Sequence, residues 1–306
     1  MSEDASNRRV LVTGATGFIG GRLARALAGS GAKVRCLARD ATRAQDLRAI
    51  GCEVVEGDVG QSSSLDGVGR DVELAYYLIH AMAGGGDFQE RELQGARNFA
   101  QMAAREGIER VVYLGGLGDQ NVSKHLLSRH ETALTLARHG PPLTYFRAAM
   151  VVGADSESYR TLRYLVQRLP VMIAPAWLRT KTQPIGIDDV IEYLSRAPAV
   201  PESTGREVQI GGPDVLSYGE MLERMARAMG RRPRLMVPVP LITPWLSSLW
   251  IGLVTPVDAN VARPLVEGLK TATVVSDPSG AEPFGIVPAS FDEALRRALV
   301  EENAGR

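Results

Sequence analysis

Thr13-Gly14-Ala15-Thr16-Gly17-Phe18-Ile19-Gly20 follows the apolar run Val10-Leu11-Val12 and opens the amphipathic run from Phe18 to Ala28. That order reads as strand, glycine turn and helix. Glycines at 14, 17 and 20 serve a tight turn, a close approach of backbone to a pyrophosphate, and close packing of helix on strand. The helix start then offers free N–H groups and a positive dipole end to phosphates. With the strand before it and the helix after it, the pattern has the context that a dinucleotide site requires. Gly14, Thr16, Gly17, Phe18, Ile19 and Gly20 are the first candidate cofactor-binding residues. The alternative is a glycine-rich turn in an α/β sheet that binds nothing.

Outward from this turn, apolar β-rich runs alternate with helical patterns through residue 148. Strands are predicted near 9–13, 33–38, 53–56, 72–78, 110–115 and 143–147, and helices near 18–29, 42–50, 62–68, 88–107 and 124–139. Such alternation predicts an α/β fold: a Rossmann-type, doubly wound parallel sheet with helices on both faces. Gly31, Gly51, Gly107 and Gly140 fall just after helices, where left-handed caps are expected. Past residue 150 the pattern loosens and prolines become denser. Helices are predicted at 156–168, 188–196, 217–229 and 291–301, with short strands at 184–187, 207–210 and 235–237. The expected organisation is a dinucleotide-binding domain over 1–150 and a smaller α/β subdomain over 151–306. The subdomain is interleaved with the sheet edge and shapes a substrate or partner site.

Thirty-five basic residues balance 35 acidic ones, so no basic excess points to nucleic acid. Two cysteines, Cys36 and Cys52, are too few for a disulfide framework. Met1 to Arg9 is polar and has no apolar core of a secretory signal, which predicts a cytoplasmic setting. No His/Cys/carboxylate spacing suggests a metal site.

The opening "VLVTGATGFIGGRLARAL" resembles the extended and atypical short-chain dehydrogenase/reductase superfamily. Further matches are "VEGDV" at 55–59, "GARNFAQMAAREGIERVVYLGGLG" at 95–118, "FRAAMVVG" at 146–153 and "QPIGIDDV" at 183–190. The resemblance runs over roughly residues 8–200. The wording "YYLIHAM", "SRHE" and "LPVMIAPAWLRTKTQPIGIDDV" is most similar to bacterial NAD(P)H-binding proteins of the NmrA-like group. That implies a nicotinamide dinucleotide cofactor. Arg39, at the end of the second strand, stands where NADP-binding relatives contact the 2′-phosphate, so NADP(H) is expected; NAD(H), held through Asp40, is the alternative. Arg22 is a second candidate cation. Asp58 and Val59 match the family's adenine-edge contacts.

The chemistry is where this chain departs from the resemblance. Most reductases of the superfamily use a Tyr-x-x-x-Lys pair, with a Ser or Thr after the fifth strand. Here the stretch reads Ser123-Lys124-His125-Leu126-Leu127-Ser128-Arg129-His130-Glu131, and the fifth strand ends Gly115-Gly116-Leu117-Gly118. With Glu131 setting the register, His125 takes the tyrosine place and Arg129 the lysine place, and Lys124 is an alternative ribose contact. Histidine titrates near neutrality and can act as acid or base; arginine can hold a ribose or phosphate but does not deprotonate. His80, ending the fourth strand at the cofactor edge, is a candidate for both cofactor contact and proton transfer. Arg147, ending the sixth strand, either orients an anion or pairs with Asp188 or Asp189. Asp189 is expected to N-cap the helix over 190–196.

Leu235 to Val257 carries no charge and includes Trp245 and Trp250. Only the stretch between Pro244 and Pro256 can run as continuous helix, ~16 Å at 1.5 Å per residue, against a hydrocarbon core of ~30 Å. A spanning helix is therefore excluded. The segment reads as a cover over an apolar substrate, a surface for a protein partner, or a peripheral membrane contact. Together these features predict an NADP(H)-dependent oxidoreductase on a small or lipid-like carbonyl. The second reading is a non-catalytic nucleotide sensor or assembly factor, as in NmrA-like regulators or the Rossmann-like accessory subunit of respiratory complex I. The third is a sugar-nucleotide epimerase.

Overall fold

The computed structural model describes residues 8–79, 88–118, 124–168, 171–174, 176–232, 235–238 and 271–304. The first half supplies strands β1 (Arg9–Thr13), β2 (Lys33–Ala38), β3 (Glu53–Glu56), β4 (Leu74–Tyr77), β5 (Arg110–Gly116) and β6 (Leu143–Ala148). Shorter strands follow: β7 (Val151–Val152), β8 (Val171–Ala174), β9 (Lys181–Thr182), β10 (Ile185–Gly186), β11 (Glu207–Ile210), β12 (Leu216–Ser217) and β13 (Leu235–Pro238). The α-helices between them are α1 (Phe18–Gly29), α2 (Gln45–Ala49), α3 (Phe88–Arg105), α4 (Lys124–His139), α5 (Glu157–Arg168), α6 (Ile187–Arg196) and α7 (Tyr218–Ala228), with a C-terminal helix over Phe291–Ala304.

Seven strands form one parallel sheet in the order β11-β6-β5-β4-β1-β2-β3. The order reverses direction at β1, between β2 and β4, and ligands in open α/β sheets bind at such a switch point. Alternate residues of each strand go to opposite layers, as the two-residue strand period requires. Val10 and Val12 of β1, Leu74 and Tyr76 of β4, and Phe146 of β6 join the layer under α1 and α6. Leu11, Ala75, Tyr77, Tyr113 and Tyr145 join the layer under α3 and α4. Tyr76 and Tyr77 are therefore both core residues. The Tyr76 hydroxyl donates to the Leu194 carbonyl at 3.0 Å and so ties β4 to α6.

Several sequence expectations are corrected. The predicted helix at 62–68 is one 3-10 turn, Ser62–Leu65. Serine hydroxyls compete for backbone groups there; Ser64 Oγ donates toward the carbonyls of Asp58 and Gln61. The predicted helix at 42–50 divides into a 3-10 turn, Ala41–Ala44, capped by Asp40, and the short α2. Gly31, Gly51 and Gly107 take positive φ, but Gly140 does not. Gly140 instead lets α3 come close, since a Cβ on it would stand 3.1 Å from that of Ala100. Asp189 does not cap α6. The helix starts at Ile187, and the Asp189 carboxylate accepts from the Ala289 N–H at 3.1 Å.

Strand β11 extends the main sheet beside β6, and Phe284 packs in the layer under α1 and α6. A separate cluster gathers Tyr159, Leu162, Met221, Leu222, Phe291 and Leu295 from α5, α7 and the C-terminal helix, with Trp177 from the 3-10 turn Ala176–Arg179.

Candidate functional site

In a parallel sheet all strands leave at one edge, so the exits of β1 to β6 line a single crevice. Gly14, just past β1, has φ +66°. A Cβ added there would stand 2.5 Å from the Leu78 carbonyl oxygen, so the exits of β1 and β4 touch backbone to backbone. A Cβ on Gly20 would meet the Gly14 carbonyl oxygen at 2.2 Å, so α1 also lies directly on the turn. Thr13 holds the same junction from inside. Its hydroxyl donates to the Tyr76 carbonyl and accepts from the Leu78 N–H, each at 3.1 Å.

The turn is open to solvent where a ligand would need it. Thr16 and Gly17 are exposed, Phe18 and Ile19 half-buried. Gly17 caps α1 with no side-chain hydrogen bond, and no acidic residue occupies the first turn. The first N–H groups and the positive dipole end of α1 are thus left for an anion. The fit to a pyrophosphate is good: three glycines leave room, and no side chain caps the helix start.

Arg39 leaves β2 exposed and makes no hydrogen bond or ion pair among the described residues. Asp40 is differently placed. One of its carboxylate oxygens accepts from both the Thr42 N–H (2.9 Å) and the Thr42 hydroxyl (2.6 Å). Those hydrogen bonds, first the side-chain one, hold its carboxyl below the usual range. Gly57, just past β3, donates its N–H to the Ala38 carbonyl at 3.0 Å, which keeps the β2 and β3 exits side by side. Asp58 builds the β3 exit turn by accepting from the Gly60 N–H at 2.9 Å. The Val59 carbonyl accepts from Asn98 Nδ2 of α3 at 2.7 Å. Asn98 was not picked out from sequence; its signal was the polar residue inside "GARNFAQ" on an otherwise buried helix face.

Two expectations about arginines are corrected. Arg22 does not offer a free charge: it pairs with Asp155 at 3.4 Å and with Glu301, and lies over the Phe18 ring. Arg147 meets neither Asp188 nor Asp189. Because β11 pairs with β6, it bonds Glu207 (2.8 Å) and the carbonyls of Gly116 (3.0 Å) and Gly118 (2.7 Å).

At the β5 exit, Arg129 of α4 is half-buried and donates from a terminal nitrogen to the Leu114 carbonyl at 3.1 Å. Its Nε is buried with no hydrogen-bond partner, as is Nδ1 of His130. An unpaired buried polar group costs about 1–3 kcal/mol, and such groups concentrate where a ligand completes them. Tyr145 was not singled out from sequence. Its ring stacks on Tyr113 at 5.5 Å, and its hydroxyl lies 2.8 Å from where a Cβ on Gly115 would be. His80 lies outside the described residues. His125 is the second residue of α4 and its side chain also lies outside them, as does most of the uncharged stretch 235–257. Among the described residues, no three His, Cys, Asp or Glu side chains gather as metal ligands, and no helix is long and apolar enough to cross a membrane.

Known proteins agree with this architecture. A ceramide reductase of Caulobacter vibrioides is 28% identical over 232 residues, 74% of this chain and 72% of that protein. Sterol demethylase protein B of Methylococcus capsulatus is 35% identical over 171 residues, 54% of this chain and 52% of that protein. The crystal structure of the Citrobacter sp. triphenylmethane reductase complexed with NADP(H) superposes with a TM-score of 0.75 at 15% identity. It covers 94% of this chain and 99% of that one, which is a likeness of fold. The NmrA-like family matches residues 6–232, and with most of the sequence inside that match, the chain belongs to the NmrA-like family.

Proposed function

We propose that this chain binds NADP(H) at the β1/β4 switch point and reduces the carbonyl group of an apolar, lipid-like compound. The observation that carries the reading is the uncapped, acid-free start of α1 on its glycine turn, one strand away from the uncommitted Arg39 guanidinium. The names of relatives support it, a ceramide reductase among them and a fold neighbour crystallised with NADP(H).

In this reading Gly14, Gly17 and Gly20 admit the pyrophosphate, with Thr16, Phe18 and Ile19 completing the turn. Arg39 takes the 2′-phosphate by charge-assisted hydrogen bonds. Asp58 and Val59 border the adenine. Asp40, committed to Thr42, serves the turn better than a ribose 2′-hydroxyl, which favours NADP(H) over NAD(H). Arg129 faces the nicotinamide end and holds ribose or substrate. The reduced nicotinamide, when bound, supplies a hydride; His80 or His125 supplies the proton. The part of the chain past residue 150, with the uncharged stretch 235–257, covers the apolar substrate.

Fluorescence titration with NADPH and NADH, followed by NADPH consumption on a panel of long-chain ketones and aldehydes, tests the reading. Tight NADPH binding and turnover on apolar members are expected. Tight binding with no turnover on any member would replace the reductase with a nucleotide sensor. Unchanged turnover in both His80→Ala and His125→Ala would remove the histidines as proton donors.

A further inference from the structure

The β5 exit is built around an absence of side chains. A Cβ on Gly116 would lie 2.6 Å from Leu126 Cδ2 and 3.7 Å from Arg129 Cδ, and one on Gly115 would run into the Tyr145 ring at 2.6 Å and its hydroxyl at 2.8 Å. Tyr145 reaches this place from the neighbouring strand, on the face covered by α4. It is more than nine-tenths buried, and its hydroxyl makes no hydrogen bond among the described residues.

Most polar groups around it are spent. The Tyr113 hydroxyl donates to the Arg129 carbonyl at 3.2 Å. Arg147 is bound to Glu207 and to the carbonyls of Gly116 and Gly118. The Arg129 terminal nitrogen is bound to the Leu114 carbonyl. The buried Arg129 Nε–H, His130 Nδ1 and Thr132 Oγ1 have no hydrogen-bond partner, the His130 and Tyr145 rings lie 6.4 Å apart, and the Tyr145 O–H makes no hydrogen bond among the described residues. A buried guanidinium N–H without a partner is costly, and with the Tyr145 O–H at the same strand exit it makes a place for an oxygen acceptor.

We propose that Tyr145 and Arg129 form an oxygen-binding subsite at the β5 exit that holds the carbonyl oxygen of the substrate; this rests on the reductase reading above. The phenol donates to the oxygen, and the guanidinium stabilises the negative charge that grows on it as the carbonyl carbon is reduced. The phenol stays protonated for this work. Burial, reinforced by Tyr113 and Glu207, pushes its ionisation well above the ordinary tyrosine range, against a smaller opposing pull from Arg147 and Arg129. No serine or threonine stands on β5, and Gly115 leaves the volume that the Tyr145 ring fills from β6.

The test uses the full chain with saturating NADPH and hexanamide, an apolar carbonyl compound that accepts the same hydrogen bonds and resists hydride reduction. NADPH affinity is measured first and alone, by fluorescence, in wild type, Tyr145→Phe and Gly115→Ala. Equal NADPH affinity in all three, with hexanamide binding weakened about 3- to 10-fold in both variants, is the expected result. Turnover on the carbonyl panel should fall about 100-fold in Tyr145→Phe with NADPH affinity unchanged. Gly115→Ala keeps the phenol but displaces it, so it separates the hydroxyl's position from its presence. Hexanamide binding that is equal in wild type and Tyr145→Phe, or absent from the wild-type NADPH complex, overturns the subsite. Failure of wild type to bind NADPH at all overturns the reductase reading instead, and the first titration reports that separately.

Discussion

Replacing Arg39 with alanine should convert an NADPH-preferring protein into an indifferent one. Arg39 is exposed and without a partner among the described residues, so its removal breaks nothing in the fold, and stability should stay within about 0.5 kcal/mol of wild type. Its whole effect should therefore appear in binding. A charge-assisted hydrogen bond is worth about 1.5–3 kcal/mol, and each 1.4 kcal/mol is tenfold in affinity, so the NADPH dissociation constant should rise roughly 10- to 150-fold. NADH, which lacks the 2′-phosphate, should bind the variant within about twofold of wild type, since no other contact changes. Fluorescence titration of both cofactors against both proteins gives the four constants. A second signature comes from salt: the wild-type preference for NADPH should shrink as ionic strength rises, because an exposed ion pair is screened, and the variant should show little such dependence. Asp40→Asn provides the converse control. With its carboxylate turned to Thr42, Asp40 should matter little to NADH. An equal loss of NADPH and NADH affinity in Arg39→Ala would refute the phosphate assignment, and a large loss of NADH affinity in Asp40→Asn would refute the account of the turn.

Gly20→Ala should abolish cofactor binding and lower stability by about 1–3 kcal/mol in urea unfolding, because the new Cβ meets the Gly14 carbonyl oxygen at 2.2 Å and only backbone is there to yield; retained NADPH affinity would count against the turn as the phosphate site. Ser217→Ala should cost about 1 kcal/mol, since Ser217 and Glu220 form a reciprocal cap on α7. Hydrogen bonds, first from Lys181 and then from Ser217, hold the Glu220 carboxyl down to about 2. A carboxylate with a depressed folded value stabilises above its unfolded value and loses that contribution as pH falls toward the folded one, so the deficit of Glu220→Gln should be full at pH 7 and shrink between about pH 4.5 and pH 2. Asp189 runs the other way. Burial raises its carboxyl, so its ionisation opposes folding as pH rises past the unfolded value, and Asp189→Asn should match or exceed wild-type stability at pH 7 while losing that slope.

The local parts of the fold were legible because local chemistry writes them. Val10-Leu11-Val12 before the glycines announces a buried strand and turn, and the polar-apolar rhythm of 88–107 announces α3, which ends at Arg105. Pairing between distant segments was not legible. Strand β11 reads as a short run like several others after residue 200, and only its register against Tyr145–Ala148 makes it part of the main sheet. The error over Arg147 follows from that one omission, since its carboxylate partner arrives on β11. Tyr145 was missed for a different reason: in "LTYFRA" it looks like any aromatic on a buried strand. Its polar end matters only because β5 ends in glycines, and that relation joins two strands that sequence spacing does not connect. Asp40 shows the limit of the motif itself. Its position suits a ribose contact, but Thr42, two residues on, holds one of its two oxygens.

The late arrival of β11 has a consequence for how the chain is made. Until residues 207–210 leave the ribosome, β6 is the outer strand of an otherwise finished parallel sheet, with the backbone donors and acceptors on its outer side unpaired. At about 5–20 residues per second, the interval between completing β6 and completing β11 lasts roughly 3–12 s. An open strand edge of that kind is a template for pairing with another chain. Translation slowed between residues 149 and 210 should therefore lower the soluble yield of this protein more than the same delay placed after residue 210.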